Sequence, residues 1–82
     1  MIAITNLEKY KNCFIEAFAL SEADVESLKY QGIQEWDSVG HMALMALLED
    51  NFEIMLDTDD IIDFASFEKG VEILLKYEVV IR

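Results

Sequence analysis

The chain of 82 residues has no proline, three glycines, one cysteine, one histidine and one tryptophan, and only six lysines and arginines against seventeen aspartates and glutamates. Each scarcity narrows the reading. A single cysteine, Cys13, permits neither an internal disulfide nor a multi-cysteine metal site, so the chain reads as cytoplasmic and Cys13 as a small apolar side chain. With so few cations, phosphates would go unneutralised, which argues against nucleic acid and for partners with basic surfaces. Attraction to such partners is long-ranged and weakens as salt screens it. The longest uninterrupted apolar run, Met42 to Leu48, is far below the roughly 20 residues that span a bilayer, and the N-terminus lacks a basic-then-apolar signal pattern. No membrane insertion is expected. With no linker, repeat or low-complexity segment, residues 1–82 read as one domain, whose apolar fraction of 54% supplies one modest core.

What is present has a helical period. Thr5-Asn6-Leu7-Glu8 fits a capping box, and Leu7, Tyr10, Phe14, Ala17 and Phe18 follow on one stripe, predicting a first helix that runs to about Ala19. From Leu20 to Asp37 the period is lost. Isolated apolar anchors, Val25, Leu28, Tyr30, Ile33 and Trp36, stand among polar residues, as in a long functional loop with a helical turn after Ser21. A second helix is predicted from Asp37 or Ser38 to near Phe52. Thr58-Asp59-Asp60 is placed to cap a short third helix over Ile61, Ile62 and Phe64, and Ser66 a fourth with the stripe Phe67, Val71, Leu74 and Leu75. The fold expected is all-α, a small antiparallel bundle of three longer helices and one short one, with a long loop between the first two. The closing Val79-Val80-Ile81 receives no assignment.

The second helix carries two apolar faces. At 100° per residue, His41, Leu44, Met45, Leu48 and Phe52 share the side suited to burial. The opposite side collects Val39, Met42, Ala43 and Ala46, then Glu49, Asp50 and Glu53. An apolar patch followed by carboxylates describes a docking surface with an electrostatic guide. The alternative is a central helix buried on most sides, its carboxylates merely solvated.

Ser38 opens this helix. A serine there is by default an N-cap, yet Asp37 can cap equally well. If it does, Ser38 keeps an exposed hydroxyl beside unpaired N–H groups at the positive end of the helix dipole, a place that favours an attached phosphate. Nucleophilic catalysis fits poorly: His41 lies on the same helix with no group to orient it, and no G-x-S-x-G elbow is present, so the chain is not expected to be an enzyme. A calcium loop starting at Asp57 would place Asp59 and Glu68 correctly but puts Ile61 and Ile62 where a ligand and the turn glycine belong, and no metal site is assigned.

Asp37-Ser38-Val39, the following helix ending in Leu-Glu-Asp-x-Phe, and the acidic segment before a short third helix together resemble the acyl carrier protein family over nearly the whole chain. The resemblance implies a covalent 4′-phosphopantetheine on Ser38, with Asp37 beside it in the cofactor motif, placed there by a separate phosphopantetheinyl transferase. It further implies a monomeric carrier that holds an acyl thioester and presents it to acyl-loading and acyl-using enzymes, as in fatty-acid or polyketide synthesis. Those partners would read helix two at Val39, Met42, Glu49, Asp50 and Glu53. Gly40 and Ala43 stand where typical fatty-acid carriers have acidic residues, and Trp36 where a small residue is more usual. These departures lean toward a specialised biosynthetic pathway. Two alternatives are an aminoacyl or peptidyl carrier on the same scaffold, and an acidic helical adaptor with no cofactor.

Overall fold

The computed structural model describes residues 5–20, 25 and 28–82. Four helices follow in order: α1 (Asn6–Phe18), α2 (Ser38–Phe52), α3 (Thr58–Asp63) and α4 (Phe67–Leu75). This is the expected all-α bundle, with a radius of gyration of 11.8 Å. The long segment between α1 and α2 is also as expected, while the helical turn anticipated after Ser21 lies outside the described residues.

The local chemistry explains the boundaries. Thr5 caps α1 by accepting from the Glu8 N–H at 3.1 Å, the first half of the expected capping box, while the Glu8 carboxylate accepts from the Thr5 hydroxyl at 3.3 Å. Ser66 caps α4 through the Lys69 N–H at 3.0 Å. Helix α3 begins one residue earlier than the carboxylate run suggested. Its N-cap is Asp57, and Asp59 and Asp60 lie in the first turn. Asp60 is then drawn elsewhere: its carboxylate accepts from Lys76 Nζ at 2.7 Å and from the Tyr77 hydroxyl at 2.6 Å. Helices α1 and α2 end at Ala19 and Glu53 in the left-handed region that glycine usually fills.

The core is largely aromatic. Tyr10, Phe14 and Phe18 of α1 meet Trp36 from the loop, Phe64 from the α3–α4 junction and Phe67 from α4, with ring centroids 4.6–6.4 Å apart. From α2, Leu44, Met45 and Leu48 enter the same cluster. Cys13 joins the α1 stripe as a buried thiol. In α4 the buried positions are Phe67, Gly70, Ile73 and Leu74, whereas Leu75, expected inside, is exposed because the helix turns Ile73 inward in its place. Val79 of the unassigned tail is buried. The buried Tyr10 hydroxyl donates to the Phe67 carbonyl at 2.6 Å, so the polar end of a core ring is satisfied.

The loop before α2 is clipped to the far side of the bundle by main-chain bonds. Tyr30 N–H donates to Ala65 O at 2.7 Å and Phe67 N–H to Leu28 O at 2.9 Å, an isolated antiparallel bridge around Lys29 and Ser66. The loop therefore arrives at α2 already fixed against the α3–α4 junction. None of the described helices is long and apolar enough to cross a membrane.

Candidate functional site

Asp37 holds the N-cap of α2. Its Oδ1 accepts from the Gly40 N–H at 2.8 Å, and its carbonyl accepts from the His41 N–H, also at 2.8 Å. Ser38 is thereby the first helical residue and not the cap. It is exposed, and its hydroxyl has no hydrogen-bond partner among the described residues. The cap also consumes the Gly40 N–H, leaving those of Ser38 and Val39 without a partner among the described residues. An exposed oxygen, two free donors and the positive end of a helix of 15 residues occupy one corner of the molecule.

Gly40 is required there by a close approach. A methyl group at this position would meet the Glu35 carbonyl and the edge of Phe18. The tight seat lets the loop lie against the first turn of α2 and brings Trp36 to His41. The indole Nε1–H donates to His41 Nδ1 at 2.9 Å, and His41 Nε2 lies 2.7 Å from the Ile61 carbonyl. A carbonyl only accepts, so Nε2 carries the ring proton and Nδ1 is the acceptor. His41 thus ties the loop, α2 and α3 together one turn from Ser38. Sequence reasoning placed His41 on the core face and Trp36 as an anchor, but no periodic signal indicates that the two would bond across the loop.

The outward face of α2 separates into two kinds of residue. Val39 is 79% exposed and Met42 55%, with Ala43, Ala46, Asp50 and Glu53 also exposed. The alternative of a helix buried on most sides therefore fails. Glu49 departs from the expectation that it belongs with the free carboxylates. It is half-buried, and its Oε2 accepts from the Leu56 N–H at 2.9 Å, fastening the segment that follows α2. Glu53 stands at the C-cap of α2, at the opposite end from Ser38. On the inner face Leu44, Met45 and Leu48 are buried, while His41 and Phe52 are only partly so.

Beside His41, on the α3 side, a cleft of about 260 Å³ is lined by Tyr30, His41, Ile62, Phe64 and Ala65. The remaining nucleophile, Cys13, is remote in role: burial, aided by Glu16, pushes its thiol pKa up to about 11, so it stays protonated and inert. Among the described residues, no three histidine, cysteine or carboxylate side chains gather as a metal site would require. No family model, no curated protein and no solved structure matches the chain.

Proposed function

We propose that this protein is a phosphopantetheine-dependent acyl carrier, modified on Ser38 by a separate transferase. The observation that carries the reading is the Ser38 hydroxyl itself, exposed and unpartnered because Asp37 has taken the cap. A phosphodiester on that oxygen fits the corner: the unpaired N–H groups of Ser38 and Val39 and the helix dipole favour its negative charge. When attached, the arm supplies a thiol that holds an acyl group as a thioester. The chain's own residues present and do not react. Val39 and Met42 offer an apolar contact next to the attachment point, and Asp50 and Glu53 extend an acidic field along the same helix toward basic surfaces of acyl-loading and acyl-using enzymes. We place this work in the cytoplasm and in a specialised pathway, since Gly40 and Ala43 leave the first turns of α2 without carboxylates.

The test uses the purified chain with coenzyme A and a broad-specificity phosphopantetheinyl transferase. Wild type should gain the mass of one phosphopantetheine, and Ser38→Ala should gain none while remaining folded. Because Ser38 does not cap the helix, the substitution should change stability by no more than about 0.5 kcal/mol. Titration of native thiols offers an independent readout, since the buried Cys13 does not respond and the arm does: the count should rise from none to one. A wild-type chain left unmodified by a transferase that modifies a control carrier would overturn the proposal in favour of a cofactor-free adaptor.

A further inference from the structure

The molecule has one tryptophan and one histidine, and the two are bonded to each other. Trp36 is wholly buried, and among the described residues its Nε1–H donates to Nδ1 of His41 alone. The imidazole lies stacked near the indole, 6.2 Å between centroids and 18° between planes, with Tyr30 edge-on at 5.3 Å and Phe64 at 6.2 Å. Both ring nitrogens are occupied, one accepting from the loop and one donating to α3. The geometry has room for one ring proton. A second would have to go on Nδ1, where it would point at the indole N–H, donor against donor.

We propose that His41 is a proton-sensitive latch. The neutral ring holds Trp36, and with it the loop that leads into Asp37-Ser38, to α2 and α3. The doubly protonated ring keeps its bond to the Ile61 carbonyl and releases Trp36. The consequence falls on the loop side alone, because only Nδ1 changes from acceptor to donor. The change concerns the Trp36 side chain, since Tyr30 stays clipped to the Ala65 carbonyl by its main chain.

The charged surroundings do not supply a substitute partner. On α2 the Asp37 carboxylate is bound to the Gly40 N–H. From the loop the titratable groups are Tyr30, whose ring edge faces the imidazole, and the exposed Glu35. From α3, Asp60 is committed to Lys76 and Tyr77, and Asp57, Asp59 and Asp63 are exposed. Among the described residues no carboxylate bonds the ring, so no side chain would hold a second proton in place while Trp36 stays bonded.

This inference is independent of any cofactor and is tested on the unmodified chain. Trp36 emission, the Trp36 indole N–H resonance and the His41 C2–H shift are each a single signal, followed together as pH is lowered from neutral until the His41 signal stops moving. The expected result is that the indole N–H signal is lost and the emission shifts with the same midpoint as the His41 ring, and that neither happens in His41→Gln. An indole N–H signal that survives the full titration of His41 would overturn the latch, as would the same loss in His41→Gln. Should His41→Gln not fold, Trp36→Phe serves: the step in melting temperature across this range should disappear with the indole donor, and its persistence would equally overturn the proposal.

Discussion

Leu48 and Phe52 sit one turn apart on the same face of α2, yet the fold uses them differently. Leu48 is fully buried, while Phe52 keeps part of its ring in water near the helix end. Truncating Leu48 to alanine removes apolar contacts and leaves a cavity that the surrounding rings cannot fill, a cost of roughly 2–5 kcal/mol. A domain of this size has only about 5–15 kcal/mol in all. Phe52→Ala should cost less, under about 2 kcal/mol, because the site opens to solvent and collapses more easily. Thermal or denaturant melts of the two variants check the ordering, and equal losses would mean that Phe52 is as much a core residue as Leu48. Gly70 shows the same packing limit from the other side: a methyl group there would strike the Tyr10 hydroxyl and the Phe64 ring. Neither glycine in contact with the core was legible as such, since a close approach leaves no periodic trace.

At the scale of elements, what could be read and what could not divide along physical lines. Helices with their own caps and stripes were readable: Thr5 with Glu8, Asp37 ahead of Ser38, and Ser66 ahead of Phe67 all act over three residues, and Tyr10, Phe14 and Phe18 repeat at helical spacing. Contacts made across the chain were not. Asp60 reads as one more surface carboxylate in an acidic run, yet it is 7% exposed and is held by Lys76 and Tyr77 from beyond α4. The Tyr77 hydroxyl in turn accepts from the Asp57 N–H at 2.9 Å, so three hydrogen bonds staple the start of α3 to the C-terminal segment. The Lys76 and Tyr77 hydrogen bonds hold the Asp60 carboxyl below the ordinary carboxylate range, and the hydrogen bond that Lys76 donates to Asp60 raises the lysine. For Asp60 the stabilisation is complete above its unfolded value of about 3.9 and is lost as pH falls through the lower folded value; for Lys76 it is present below about 10.4 and is lost as pH rises through the higher folded value. Asp60→Asn should therefore lower the melting temperature at neutral pH. The gap from wild type should close on acidification below about pH 4, where the wild-type carboxyl is itself taking up a proton. A gap that stays constant into acid would show that shape, and not charge, holds the staple.

For the molecule as a whole, the governing fact is a net charge of −11 on a body of 11.8 Å radius of gyration. At physiological salt a charge is felt over about 8 Å, so a partner close to the surface responds to the nearest face more than to the total. That distinction decides how the α2 surface must be tested. Glu49 is unsuitable for charge reversal because its carboxylate holds the Leu56 N–H, and a lysine there would loosen the segment after α2 as well as change the field. Asp50 and Glu53 are exposed, and among the described residues their carboxylates carry no such bond. Replacing both with lysine should slow association with the phosphopantetheinyl transferase, most strongly at low salt, while leaving the helical circular dichroism intact. The control is the same reversal at the exposed Glu16 and Glu72, on α1 and α4, which alters the total charge equally. Met42→Gln should act differently, shortening the lifetime of the complex with little effect on its rate of formation, because it removes apolar contact beside Ser38. Stopped-flow association at two salt concentrations separates these cases. If the α1/α4 pair slows binding as much as the α2 pair, attraction comes from the acidic body as a whole and α2 is not the docking face.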